Sequence, residues 1–166
     1  MLEELKDFGH GDRSVLRPWR IEARFSCRLE SLESENFGFA NKTIVTILYQ
    51  NQIEGLEVET KDGEWINVKP SPDSFTVMIG DSLLAWTNGR LHSPIHRVMM
   101  TGNVARYSIG LFSIPKAGYI IEAPKELVDE EHPLLFKPFD HVQFLGYYYT
   151  EAGQKAKSAL RNYCGI

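Results

Sequence analysis

From Thr43 onward the chain alternates apolar and polar residues in short runs. "TIVTILYQ", residues 43–50, is apolar and β-branched and predicts a strand. "GLEVETKDGEWINV" places Leu56 and Val58 before an Asp62-Gly63 pair, and Trp65, Ile66 and Val68 after it. Asp-Gly accepts the positive φ angles of a tight hairpin turn, so a β-hairpin is expected. "PSPDS" reads as a loop, and "FTVMIGDSLLAWTNG" as a strand, a Gly80-Asp81 turn and a second short element. "HRVMM" and "RYSIGLFSIP" are two more strands, joined by a turn at Thr101–Asn103. Short strands at regular spacing indicate a sandwich, barrel or jelly roll.

The two ends depart from this pattern. "RIEARFSCRLESLE" sets Ile21, Phe25, Leu29 and Leu32 along one side of a helix, with a poorly ordered tail as the competing expectation. Beyond Pro115, "IIEAPKELVDEEHPLLFKPFD" is loop-rich, with Pro124, Pro133 and Pro138. "DHVQFLGYYYTE" predicts a helix capped by Asp140, with Val142, Leu145 and Tyr149 on one face. "AGQKAKSALRNYCGI" predicts a second helix with Lys and Arg late, where they suit its dipole. The expected plan is a divergent segment over 1–38, a β core over 39–115, and C-terminal loop and helices over 116–166.

Composition narrows the classes. A length of 166 residues gives one domain as the expectation, with room for a real core. Net charge is −4, from 18 basic and 22 acidic residues, with no basic stripe, which argues against nucleic acid. There is no apolar run of membrane-spanning length. The start, "MLEELKDFGHGDR", lacks the apolar stretch of a signal peptide. The two cysteines, Cys27 and Cys164, are far apart, so free thiols in a reducing, cytoplasmic compartment are expected. The partner expected is a small molecule; oligomeric state stays open.

Candidate chemistry concentrates in "LHSPIHRVMMTGNVARYS", residues 91–108. Arg106 and Ser108 are two apart on a strand and share a face. A guanidinium fork with a hydroxyl beside it is suited to a carboxylate. An inward Arg in an apolar strand needs an anion: either a ligand or one of the protein's own carboxylates, such as Asp81. His96 taken alone is more often a structural residue than a metal ligand. His92 reads as a surface or pocket-rim residue, and His10-Gly11-Asp12 as a solvated turn.

With these residues in view, "GDSLLAWTNGRLHSPIHRVMMTGNVARYSIGLFSIPKAGYIIEAP" closely resembles the plant iron(II)- and 2-oxoglutarate-dependent dioxygenases. The flanks "TILYQNQIEGLEVETKDGEWINVKPSPDSFTVMIGD" and "ELVDEEHPLLFKPFDHVQFLGYYYTEAG" resemble them too, so the likeness covers roughly residues 42–166. It is nearest to the glucosinolate-type, AOP-like branch. The resemblance implies a double-stranded β-helix, or jelly roll, here a partial one with two C-terminal helices. It implies Fe(II) held by two histidines and a carboxylate, with His96 as one ligand. It implies 2-oxoglutarate as co-substrate, its distal carboxylate on Arg106 and Ser108. The activity implied is oxidation of a small specialised metabolite, with 2-oxoglutarate decarboxylated to succinate.

The resemblance also exposes a departure. The family's other two ligands come from an His-x-Asp motif just before the first core strand. In "GFANKTIVTILYQ" Phe39 and Asn41 stand at those positions. Phenylalanine offers no donor atom, and a neutral amide is a poor iron(II) ligand. The change near Phe39 to Asn41 fits a truncated or alternatively spliced product. Partly uncovered apolar surface is then expected at Tyr147–Tyr149 and at His132–Phe136.

Overall fold

The computed structural model describes residues 40–100 and 103–166, and the backbone path of residues 21–30 and 39. Ten strands and four short α-helices follow one another among these residues. The strands are β1 (Ile21–Glu30), β2 (Phe39–Ala40), β3 (Val45–Gln50), β4 (Leu56–Glu59), β5 (Trp65–Asn67), β6 (Thr76–Ile79), β7 (Ile95–Val98), β8 (Arg106–Pro115), β9 (Ile120–Ile121) and β10 (Phe139–Asp140). The helices are α1 (Asp81–Trp86), α2 (His141–Tyr148), α3 (Glu151–Lys155) and α4 (Ala159–Cys164).

Two four-stranded sheets, ordered β1-β8-β3-β6 and β2-β7-β4-β5, form a partial jelly roll, and β10-β9 is a small separate pair. The strands expected from the alternating runs are present. The hairpin pairs Glu57 with Asn67 and Glu59 with Trp65, and Gly63 sits in its turn at φ 84°. The element after Gly80 is α1.

The arginine-bearing stretch "IEARFSCRLE" is neither helix nor tail. It is β1, antiparallel to β8 over its whole length, from Ile21 opposite Pro115 to Glu30 opposite Arg106. Apolar residues at 21, 25 and 29 satisfy a helical period, but 21, 23, 25, 27 and 29 satisfy a period of two equally well. The ten-residue edge of β8 decides between them.

The described strands β3, β6 and β8 bury polar side chains beside Met78 on one face and leave apolar side chains exposed on the other. Arg106 and Ser108 on β8 and Thr46 on β3 are buried. Tyr107, Ile109, Tyr49, Val77 and the adjoining Phe75 are exposed. Tyr49 lies opposite Ile109 in register, Ile47 lies opposite both Leu111 and Val77, and the Tyr49 and Phe75 rings are 5.7 Å apart.

The apolar core lies at the C-terminal end: Ala85, Ile121, Phe136, Phe139, Phe144, Ala159, Leu160 and Cys164. Phe139 meets Phe144 edge-on at 5.4 Å and Tyr163 at 5.9 Å. Asp140 caps α2 as expected, its carboxylate accepting from Gln143 N. The buried side of α2, however, is His141 and Phe144, whereas Val142 and Tyr149 are exposed. The last expected helix is two: Ser158 accepts from Arg161 N and starts α4 afresh. Such a cap competes with continuing the helix through that residue. Leu134, Leu135 and Tyr149 are exposed, while Tyr147 and Tyr148 pack on the core.

Candidate functional site

β8 fixes two of the expected site residues by simple alternation. Arg106 is 1% exposed, Tyr107 55% and Ser108 7%. Arg106 therefore points between the sheets, and a Cβ at Gly55, just ahead of β4 in the opposite sheet, would lie 3.5 Å from the Arg106 Cδ. Asn51 holds the start of β8 on both sides of Arg106: its Nδ2 donates to Ala105 O at 3.2 Å, and its Oδ1 accepts from Tyr107 N at 3.0 Å.

Gln50 was not singled out by sequence. It ends β3 opposite Ser108, and its Oε1 accepts a hydrogen bond from the Arg106 guanidinium. Its Nε2 is buried with no hydrogen-bond partner among the described residues. The only signal available was an inward-parity polar residue at the end of "TILYQ". Asp81, the protein carboxylate considered for Arg106, instead bonds Lys42 at 2.9 Å.

His96 is buried on β7, in the other sheet. It is therefore not on a strand next to Arg106; the nine residues between them carry the chain from one sheet to the other. Its Nδ1 contacts Pro94 O at 3.3 Å, and donation there makes Nε2 the lone-pair nitrogen. Burial, helped by nearby Lys42, pushes the imidazole below its ordinary pKa against the opposing pull of that backbone bond, so it is neutral near pH 7. A neutral, tautomer-fixed imidazole is the form that ligates metal.

The register explains why position 39 matters. Its Cα is the direct antiparallel partner of His96. Phenylalanine at that position brings no ligand. Asn41 is buried and its amide is fully engaged: Oδ1 accepts from Thr43 N at 3.2 Å and Thr43 Oγ1 at 2.9 Å, and Nδ2 donates to Thr46 Oγ1. Among the described residues no three His, Cys, Asp or Glu side chains come together to hold a metal. An iron ion does not fit the ligand set these residues provide. His10-Gly11-Asp12 lies outside the described residues.

His92 is exposed, on the rim of a separate cleft of about 400 Å³ between the α1–β7 loop and the C-terminal helices, lined also by Lys42, Asp81, Ser93, Tyr148 and Arg161. None of His96, Arg106 or Ser108 lines it. No helix among the described residues is long and apolar enough to cross a membrane.

Comparison with known proteins agrees with this frame. A family model for the 2OG-Fe(II) oxygenase superfamily matches residues 31–115. A probable 2-oxoglutarate-dependent dioxygenase, AOP1, of Arabidopsis thaliana is 63% identical over 126 residues, which are 76% of this chain and 39% of that protein. The chain thus spans about two fifths of that relative's length, and the similarity to AOP-type proteins bears out the branch. The crystal structure of a rice dioxygenase for auxin oxidation superposes with a TM-score of 0.76 at 32% identity, over 87% of this chain and 51% of that one. JOX2, in complex with 2OG, Fe and JA, superposes with a TM-score of 0.74 at 27% identity, over 87% of this chain and 44% of that one. By this match and this fold, the chain belongs to the 2OG-Fe(II) oxygenase superfamily.

Proposed function

We propose that the chain is the co-substrate-binding β core of a 2-oxoglutarate-dependent dioxygenase. On this reading it serves oxidation of a small organic, specialised-metabolite substrate with decarboxylation of 2-oxoglutarate to succinate, and it needs metal ligands that the described residues, beyond His96, do not supply. The observation that carries this is the inward Arg106 and Ser108 pair on β8, with the guanidinium held by Gln50. A buried, permanently charged fork beside a hydroxyl suits the distal carboxylate of 2-oxoglutarate. His96 is the metal ligand of this reading, in its neutral tautomer.

A second reading has its own observation. With Phe39 opposite His96 and the Asn41 amide bonded to Thr43 and Thr46, the chain binds the dicarboxylate without turning it over. One experiment separates the two. Succinate release with Fe(II) and 2-oxoglutarate, lost in both Arg106→Ala and His96→Ala, supports the first reading. Binding of 2-oxoglutarate without succinate, with Phe39→His plus Asn41→Asp gaining both metal affinity and turnover, supports the second. Absence of 2-oxoglutarate binding overturns both.

A further inference from the structure

Gln50 has two ends, and the fold uses one of them. Its Oε1 is occupied by Arg106, while its Nε2 is buried with no partner among the described residues. Leaving a buried amide donor unpaired costs about 1–3 kcal/mol, so an acceptor is expected at that position. The neighbours say which kind. Gln50 lies directly opposite Ser108, and the guanidinium it holds is the one buried cation on the inward face of β8. The following residue, Asn51, fixes the backbone on either side of that same arginine. The "Gln-Asn" end of β3 is therefore built around Arg106.

We propose that Gln50 is a binding residue for the dicarboxylate ligand, presenting Nε2 to the distal carboxylate beside Arg106 and Ser108 while its Oε1 orients the guanidinium. This rests on the reading that a dicarboxylate binds at Arg106. The ligand class is a short acid with a distal carboxylate, and the amide adds a donor that a merely propping residue would not need.

The test uses the full 166-residue chain, calorimetric titration with 2-oxoglutarate and with glutarate, and the variants Gln50→Glu, Gln50→Met and Arg106→Met. Gln50→Glu keeps the acceptor for Arg106, removes the donor and adds a like charge. Hydrogen bonds to charged groups contribute about 1.5–3 kcal/mol, so Gln50→Met is expected to bind roughly 10- to 100-fold more weakly, and Gln50→Glu at least as weakly at pH 8. The guanidinium holds the introduced carboxyl below the usual carboxylate range, so the deficits of Gln50→Glu and Gln50→Met both persist at pH 5.5. A melting curve for each variant shows that it is folded. If Arg106→Met abolishes binding and Gln50→Glu leaves it unchanged at both pH values, the role of Gln50 is overturned and the site reading stands. If Arg106→Met leaves binding unchanged, or the parent binds neither acid, the site reading falls and the role of Gln50 falls with it.

Discussion

Asn41 knots together the strand that leads into β3. Its amide receives two hydrogen bonds from Thr43 and gives one to Thr46, all in a buried setting. Asn41→Ala removes all three. The Thr43 and Thr46 hydroxyls already bond each other at 3.2 Å, so that contact recovers nothing, and the Thr43 N–H is left without its acceptor. At about 1 kcal/mol for each net bond, the expected loss is about 3 kcal/mol. In a chain of this size that lowers Tm by roughly 6–12 °C. Asn41→Asp keeps the acceptor for Thr43, and the Thr46 hydroxyl can turn to donate to the second oxygen. Three donors then face the carboxylate, and the expected loss near pH 7 is under about 1 kcal/mol. Calorimetric melting of the three proteins tests the order. If Asn41→Ala melts with the parent, or Asn41→Asp melts below Asn41→Ala, the knot is not the stabilising element described here.

Two other outcomes follow from the same packing. A Cβ at Gly80 would lie 2.0 Å from Thr43 O, so Gly80→Ala has to part α1 from the strand leading to β3. That breaks the bonds from Gly80 N to Ile44 O and from Asp81 N to Asn41 O; a loss of about 3 kcal/mol or more is expected in denaturant melts. The second is acid sensitivity. His141 is fully buried, its Nδ1 2.8 Å from Ser82 Oγ, and burial pushes its pKa down to about 4. The unfolded chain takes up this proton first as pH falls. Stability is therefore fully present above about pH 6.5 and is lost toward pH 4, by on the order of 3 kcal/mol. His96, also lowered by burial, acts in the same direction. In His141→Gln the slope of stability against pH between 6.5 and 4 is expected to be shallower; an unchanged slope removes His141 from the account.

Much of the site was legible in the letters because strands have a period of two. Arg106 and Ser108 had to share a face, and the structure buries both. The Asp62-Gly63 turn and the Asp140 cap are local chemistry, and both stand where they were expected. What stayed hidden depends on partners distant in sequence. β1 satisfies two periods, and only its pairing with β8 selects one. His96 and Arg106 are ten residues apart, and that spacing cannot say that the chain crosses between sheets in the interval. Gln50 looked like an ordinary strand exit until Arg106, fifty-six residues on, was placed beside it.

The exposed apolar face of β3, β6 and β8 changes how a mutational scan of this protein should look. In most sheets apolar positions are intolerant and polar ones permissive. Here Tyr49, Val77, Tyr107 and Ile109 face outward, so lysine at those positions is expected to leave ligand affinity intact while improving behaviour at high concentration. Hydrophilic Gln50, Arg106 and Ser108 are the positions that resist exchange. A tolerance map drawn from hydrophobicity alone would mark the wrong side of the sheet as the side that matters.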